Sequence, residues 1–122
     1  MHEVSLVTAL VEQVQEVSRR EHFQRVLKIR VAIGELSGVE PDAVEFCFST
    51  VAQGSVLEGA ELFVERRPAI LRCDPCATES SISEGQAWRC SQCGSTDVRL
   101  TGGKEFQIID LDVSEENFKD VP

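Results

Sequence analysis

The chain has 122 residues and a formal net charge of −9, from twelve basic and twenty-one acidic residues. That length suits one ordinary domain, or a small domain with an inserted module. The excess of acid argues against a nucleic-acid-binding protein, because neutralising phosphates takes clustered Lys and Arg. No apolar run approaches the ~20 residues that a membrane-spanning helix needs, so we expect no membrane contact.

The first half of the chain predicts two helices and a strand. Apolar residues at helical spacing predict a first helix over residues 5–22. Strict alternation predicts a half-buried strand over residues 26–33. Pro41 is well placed to open a second helix and Gly54 to end it. Cys47 falls on the apolar stripe of this second helix, where we expect a buried thiol that binds no metal.

The second half predicts strands over residues 61–67 and 105–113, on either side of a cysteine-containing segment. A lone strand is not stable, so the last strand should return and pair with the first sheet. The sequence therefore predicts an α+β protein with a small three-stranded sheet, two helices on one face and an inserted zinc-ribbon-like module. The predicted domains are residues 1–68 with 103–116, the module at 69–102, and an acidic tail at 117–122.

Four cysteines form two Cys-x2-Cys pairs with thirteen residues between them: Cys73, Cys76, Cys90 and Cys93. This spacing is typical of a four-thiolate zinc site, because both sulfurs of a pair reach one ion and the loop brings the second pair from the opposite side. Four protein ligands leave no open coordination position, so we expect the zinc to hold structure and not to catalyse a reaction. The function then resides elsewhere in the chain.

Two disulfides are the alternative for these cysteines, and they would require an oxidising compartment. The N-terminal stretch does not look like a signal peptide, since it is amphipathic and carries Glu3 and Glu12. We therefore expect a cytoplasmic protein whose thiols bind metal. One zinc ion in four thiolates would take the net charge to about −11.

The chain begins Met1-His2-Glu3 and continues directly into the first predicted helix. Together with the small α/β unit, the cysteine pairs and the stretch GELSGVEPDAVEFCF, this start resembles the HypA/HybF family of hydrogenase maturation proteins, which are nickel metallochaperones. The resemblance covers essentially the whole chain. The chain differs from the common family pattern after the first cysteine pair, where Ala77 replaces the frequent glycine. The sequence therefore leaves the geometry of that turn open.

By that resemblance His2 is a nickel ligand and Glu3 its companion, while the four cysteines hold structural zinc. The chemistry of the chain start agrees, because nickel(II) takes square-planar sites built from nitrogen. Four nitrogens lie within three residues: the Met1 amine, the backbone nitrogens of His2 and Glu3, and the His2 imidazole. Met1 should remain, since methionine removal generally requires a small second residue. Two amides must lose protons for nickel to bind, so nickel affinity should decrease as the pH decreases. We assign no metal to His22.

The resemblance implies a metallochaperone that delivers nickel for maturation of nickel–iron hydrogenase, with urease served by some members. Its implied partners are a nickel-handling maturation GTPase and the hydrogenase large subunit precursor, and homodimerisation stays open. One alternative is a zinc-ribbon module for protein interaction or nucleic-acid association, without nickel transfer. A hydrolase is the other, but the sequence has no nucleophile motif such as Gly-x-Ser-x-Gly, so we expect no enzyme.

Overall fold

The computed structural model describes residues 3–82 and 87–114, which form two helices and two small sheets. The elements are α1 (Glu3–Glu21), β1 (Val26–Gly34), α2 (Pro41–Ala52), β2 (Glu61–Arg67), β3 (Ala69–Cys73), β4 (Thr78–Ile82), β5 (Val98–Gly102) and β6 (Phe106–Val113). Backbone contacts divide the chain into two units. Unit 1 comprises residues 1–31, 40–64 and 108–122, and unit 2 comprises residues 32–39 and 65–107. The domain boundaries drawn from the sequence stay a prediction.

Unit 1 has a core made from one face of each helix and the inner face of β1. The periodic apolar residues of α1 are the buried ones. α2 and β1 also bury one side each, although Phe46 on α2 and Leu27 on β1 are exposed. The buried apolar side chains of unit 1 among the described residues are Val7, Leu10, Val11, Val14, Val26, Ile29, Val31, Val44, Phe48, Ala52, Val56 and Leu57. The α+β class and the two helices predicted from the sequence are confirmed.

The two helices lie side by side and point the same way. At their starts the Glu3 carboxylate accepts a hydrogen bond from the Glu40 N–H at 3.2 Å, and further along the Gln15 side-chain oxygen accepts from the Val56 N–H at 2.5 Å. α1 ends at Glu21, and the next residue, His22, takes a left-handed φ of 63°. No helix among the described residues is long and apolar enough to cross a bilayer.

The first sheet has the strand order β2-β1-β6. The Gly34 N–H donates to the Glu105 carbonyl at 2.8 Å, and the Ser114 N–H donates to the Arg25 carbonyl at 3.1 Å. The end of β1 therefore meets the start of β6, and the two strands are antiparallel. The predicted return of the last strand to the first one is confirmed.

The second sheet, in unit 2, has the order β4-β3-β5 with both pairs antiparallel. Ala69, Leu71 and Ile82 form its buried cluster, with Leu36, Val98 and Leu100 packed against them. The sequence analysis did not identify these three strands. β4 reads TESSI and β5 reads VRLTG, too short and too polar for alternation to be visible without the partner strand.

Residues 34–36 form backbone hydrogen bonds with the chain segments just before and just after the second sheet. The Glu35 N–H donates to the Arg67 carbonyl at 2.8 Å, and the Leu36 N–H donates to the Gly103 carbonyl at 2.7 Å. A Cβ on Gly34 would lie 2.2 Å from the Gly103 carbonyl carbon, so no larger residue fits there. The glycine thus permits a close backbone approach that sequence alone does not reveal.

Candidate metal centre

The four paired cysteines come together at one end of the second sheet. Cys73 is the last residue of β3, Cys76 lies in the turn that follows, and Cys90 and Cys93 lie in the loop before β5. Their Sγ atoms all lie within 4.8 Å of one another. The Sγ–Sγ distance is 3.6 Å for Cys73 and Cys93, and 3.9 Å for Cys76 and Cys90. Zinc–sulfur bonds of 2.3 Å in a tetrahedron give about 3.8 Å, so the four sulfurs fit one tetrahedral ion.

Backbone N–H groups of the second cysteine pair point at one of the sulfurs. The N–H groups of Gln92 and Cys93 donate to the Cys90 Sγ at 3.3 and 3.4 Å. These two donors, that of Cys93 first and then that of Gln92, lower the pKa of the Cys90 thiol to about 6. They stabilise the thiolate, which is the form of cysteine that binds metal.

Crowding of the sulfurs raises the pKa values of the first pair, Cys73 and Cys76. The neighbouring Cys93 thiol, followed by burial, raises the pKa of Cys76 to about 12. For Cys73 the backbone hydrogen bond from Cys76 lowers the pKa, but burial and the thiols of Cys93 and Cys90 outweigh it and the net shift is upward. Four sulfurs this close do not all ionise unaided, because like charges repel. A divalent cation between them removes that repulsion.

Each cysteine pair is followed by a residue with a left-handed φ, but the two turns differ in their hydrogen bonds. After the first pair Ala77 takes φ 56°, and after the second pair Gly94 takes φ 73°. The Ala77 N–H donates to the Asp74 carbonyl at 3.3 Å, and the Gly94 N–H donates to the Cys90 carbonyl at 3.0 Å. Ala77 thus keeps the left-handed conformation, which costs a non-glycine residue about 1–2 kcal/mol, while the first turn closes over three residues and the second over four.

The surroundings of the sulfurs include a charged group that the sequence analysis missed. Asp74 sits next to Cys73, and its Oδ1 lies 3.4 Å from the Arg99 Nε and 3.9 Å from the Arg72 Nε. Cys73 and Cys90 are buried, whereas Cys93 is exposed. Two guanidinium groups therefore lie beside the carboxylate of the residue that follows the ligand candidate Cys73. Arg99 and Asp74 are 25 residues apart, so this pairing leaves no local signal in the sequence.

The predicted nickel ligands are only partly covered by the structure. Met1 and His2 lie outside the described residues. Glu3 is the first residue of α1, and its side chain accepts the hydrogen bond from Glu40 described above. The sequence assigned Glu3 a role through its backbone nitrogen alone, and the structure adds this contact of its carboxylate.

The fifth cysteine and the second histidine stand apart from the four-sulfur group. Cys47 is partly buried on α2, and its thiol lies 3.7 Å from the Val44 carbonyl oxygen. His22 follows the end of α1, where its N–H donates to the Ser18 carbonyl at 2.8 Å. Among the described residues, the group of metal-ligand side chains that converges comprises the four paired cysteines.

The fold and the site define a small α+β protein with a zinc-ribbon-like, four-cysteine module. The family model described as "Hydrogenase/urease nickel incorporation, metallochaperone, hypA" matches residues 1–113. A hydrogenase maturation factor HypA from Streptomyces avermitilis is 39% identical over 91% of this chain and 86% of its own length. The factor of that name from Albidiferax ferrireducens is 38% identical over 93% of this chain and 99% of its own.

Solved structures agree with the sequence relatives. The solution structure of the Ni metallochaperone HypA from Helicobacter pylori superposes with a TM-score of 0.69 at 26% identity, over 95% of this chain and 100% of that one. A second solution structure, of a HypA protein, gives a TM-score of 0.72 at 25% identity over 95% and 98% of the two chains. The chain belongs to the HypA family of metallochaperones for nickel incorporation.

Proposed function

We propose that this chain binds one nickel(II) ion at its N-terminus and delivers it for maturation of nickel–iron hydrogenase. Membership of a nickel-incorporation family is the observation that carries the proposal. The ligands are the Met1 amine, the backbone nitrogens of His2 and Glu3, and the His2 imidazole. Nickel is the cargo here, and a site at a chain end is open to an incoming ligand from the acceptor.

The position of Glu3 supports its use as a backbone ligand. It is the first residue of α1, and the first four N–H groups of a helix have no acceptor within the helix. Removing the proton from the Glu3 amide therefore breaks no helical hydrogen bond. The resulting anionic nitrogen lies at the positive end of the helix dipole, where negative charge is favoured. The Glu3 carboxylate accepts the Glu40 N–H, a contact that helps to fix the start of α1 on which the backbone nitrogen lies.

We infer that Cys73, Cys76, Cys90 and Cys93 hold a structural zinc ion. The support is the sulfur spacing, which suits bonds of zinc length, and the preference of zinc for four thiolates. Nickel(II) prefers a square-planar arrangement of nitrogen ligands, and a tetrahedral set of four sulfurs does not provide it. The protein thus uses its two metals differently: zinc stays in unit 2, and nickel passes through the chain start.

We further propose which proteins exchange nickel with this chain and in which compartment it acts. The chain exchanges nickel with a nickel-handling maturation GTPase and with the hydrogenase large subunit precursor, and it acts by binding and delivery, not by catalysis. A nickel-incorporation family implies such partners. The five free cysteines suit the reducing cytoplasm, where thiols remain available to metal. Pairing of two copies stays possible on this proposal and is not required by it.

A nickel titration tests the terminal site directly. The untagged protein is compared with His2→Ala and with a form that has extra residues before Met1. We expect the square-planar nickel absorption in the untagged protein and its loss in both altered forms, because one lacks the imidazole and the other lacks the amine next to it. His22→Ala is the matched control and should bind as the native chain does. Unchanged absorption in either altered form would place nickel elsewhere.

Delivery needs its own measurement. Nickel-loaded protein is mixed with the metal-free cognate GTPase or with the metal-free large subunit precursor, and nickel on each protein is followed after separation. We expect nickel to move faster from the loaded protein than from a mixture of the His2→Ala variant with the same amount of free nickel. Equal rates would mean that the chain does not deliver the ion.

A further inference from the structure

Phe46 on α2 is the most exposed of the large apolar side chains among the described residues. It leaves 88% of its surface in solvent, while Val44 and Phe48 on the other side of the same helix are buried in the core of unit 1. A phenylalanine normally stabilises a protein by burying its ring. Phe46 does almost none of this within its own chain, so folding of unit 1 does not explain the residue.

The charged residues of α2 are all acidic. α2 carries Asp42 and Glu45 and has no Lys or Arg in its twelve residues. Asp42 lies one helical turn before Phe46 and Glu45 directly precedes it, and both are exposed. An aromatic ring with acidic neighbours is the arrangement of a binding anchor with a charged rim.

The position of this surface relates it to the proposed nickel site. The Glu3 carboxylate accepts from the Glu40 N–H at 3.2 Å, so the start of α1 lies beside the start of α2. Phe46 is six residues beyond Glu40, which is about 9 Å along a helix at 1.5 Å per residue. A protein bound over Phe46 would therefore lie along the helix whose start contacts Glu3.

We propose that the α2 surface formed by Asp42, Glu45 and Phe46 is the docking surface for the protein that exchanges nickel with this chain. Its partner presents an apolar pocket that accepts the Phe46 ring and a rim of Lys or Arg that faces the two carboxylates. The role of the partner rests on the proposed nickel function, whereas the docking itself does not. A second copy of the chain is a poor occupant, because a symmetric pair would set acidic rim against acidic rim.

The first test removes the ring. Phe46→Ala is compared with Phe63→Ala, which removes another exposed aromatic ring from unit 1. Phe63 is 43% exposed on β2, with the Lys28 Nζ 5.9 Å from its ring centre. Binding to the purified cognate GTPase and to the purified large subunit precursor is measured separately by calorimetry, with and without nickel.

We expect Phe46→Ala to weaken binding to at least one of the two partners tenfold or more, as for a central aromatic anchor. Phe63→Ala should stay within about twofold of the native chain. Phe46→Ala should also keep the native nickel affinity and melting temperature, since the ring is exposed and alanine favours helix. That separates loss of docking from loss of the nickel site or of the fold.

The second test reverses the charge of the rim. Glu45→Lys is compared with Glu12→Lys, the same change at an exposed position of α1. We expect Glu45→Lys to slow association about tenfold at low salt and to flatten its dependence on ionic strength, while Glu12→Lys has a smaller effect.

Three outcomes would overturn the docking proposal. One is native affinity of Phe46→Ala for both partners. The second is an equal effect of Phe46→Ala and Phe63→Ala. The third is a dimer of the native chain that Phe46→Ala dissociates, which would make a second copy the occupant. If instead the native chain bound no nickel but Phe46→Ala still lost a partner, the docking surface would stand and the nickel proposal would fail.

Discussion

The two units of the chain differ sharply in charge. Unit 1 contains fourteen acidic and six basic residues, whereas unit 2 contains seven acidic and six basic residues. Unit 2 is thus close to neutral before its cysteines ionise, which favours gathering four thiolates in one place. Unit 1 carries nearly all of the excess acid and also the proposed docking surface. The difference suggests that unit 2 is built to retain a metal ion and unit 1 to meet a cationic protein surface.

The two proposed metal sites also differ in what holds their ligands. The sulfurs in unit 2 are placed by a strand end, two turns and backbone N–H groups, so their geometry depends on the fold. The nitrogens in unit 1 belong to three consecutive residues, so they chelate with little loss of loop entropy. A structural ion and a transferable ion call for these opposite arrangements.

Removal of one cysteine sulfur should have the largest effect, and we expect that effect to be confined to unit 2. Cys90→Ser takes away a buried sulfur, and we expect bound zinc to fall from about one ion per chain to near zero. Unit 2 should then lose its fixed structure, because its buried cluster is small. The helices of unit 1 should persist. Zinc content, helix circular dichroism and the fluorescence of Trp88 measure these effects.

Cys47→Ser is the matched control for this change, since Cys47 lies on α2 and not among the converging sulfurs. It should keep about one zinc ion per chain. Retention of zinc by Cys90→Ser, or loss of the helices together with the zinc, would contradict the separation of the units.

Acid should weaken zinc binding by protonating the sulfurs. The pKa of Cys90 is lowered to about 6, so Cys90 is largely a thiolate at about pH 7.5 and largely a thiol at about pH 5. Zinc binding should therefore release about one proton more per ion at the lower pH, and affinity should fall as pH falls. Calorimetry in buffers of different ionisation enthalpy counts the protons. The same count at both pH values would show that the Cys90 thiolate is not preformed.

We expect Gly34 to be the backbone position of unit 2 that is most sensitive to substitution, because it lies against Gly103. Gly34→Ala puts a Cβ 2.2 Å from the Gly103 carbonyl carbon, and we expect a loss of about 3 kcal/mol in the free energy of unfolding. Gly38→Ala is the control. Gly38 has φ +80° but nothing within 4 Å, so it should lose only about 1 kcal/mol. Denaturant unfolding of the zinc-loaded variants measures both, and equal losses would mean that the backbone yields at Gly34.

Substitutions in the turns after the two cysteine pairs should have the smallest effects on stability, and the two effects should have opposite signs. Ala77→Gly relieves a left-handed alanine at φ 56° and should stabilise unit 2 by about 1 kcal/mol. Gly94→Ala imposes the same conformation on an alanine at φ 73° and should destabilise it by about as much. Thermal unfolding of the zinc-loaded forms gives both shifts. A destabilising Ala77→Gly would show that the Ala77 side chain has a favourable role that outweighs its strain.

The sequence predicted the elements whose periodicity is long enough to be seen. Apolar spacing predicted both helices, and alternation predicted β2 at its observed bounds and β1 to within one residue. It did not predict β3, β4 or β5, because each has only five residues and so short a segment carries no clear pattern. The cysteine spacing predicted which four side chains converge, since that spacing is local within each pair and only the loop between the pairs is variable.

Contacts between residues far apart in the chain decided the rest. The exposure of Phe46, the tight fit of Gly34 against Gly103 and the guanidinium groups beside Asp74 each depend on which segments pack together. Sequence by itself determined the helices, the last strand's return and which four cysteines converge, because these follow from short-range periodicity and spacing. Only the tertiary structure determined the sulfur distances, the backbone donors to Cys90 and the outward-facing ring on α2, because packing sets distances and exposure.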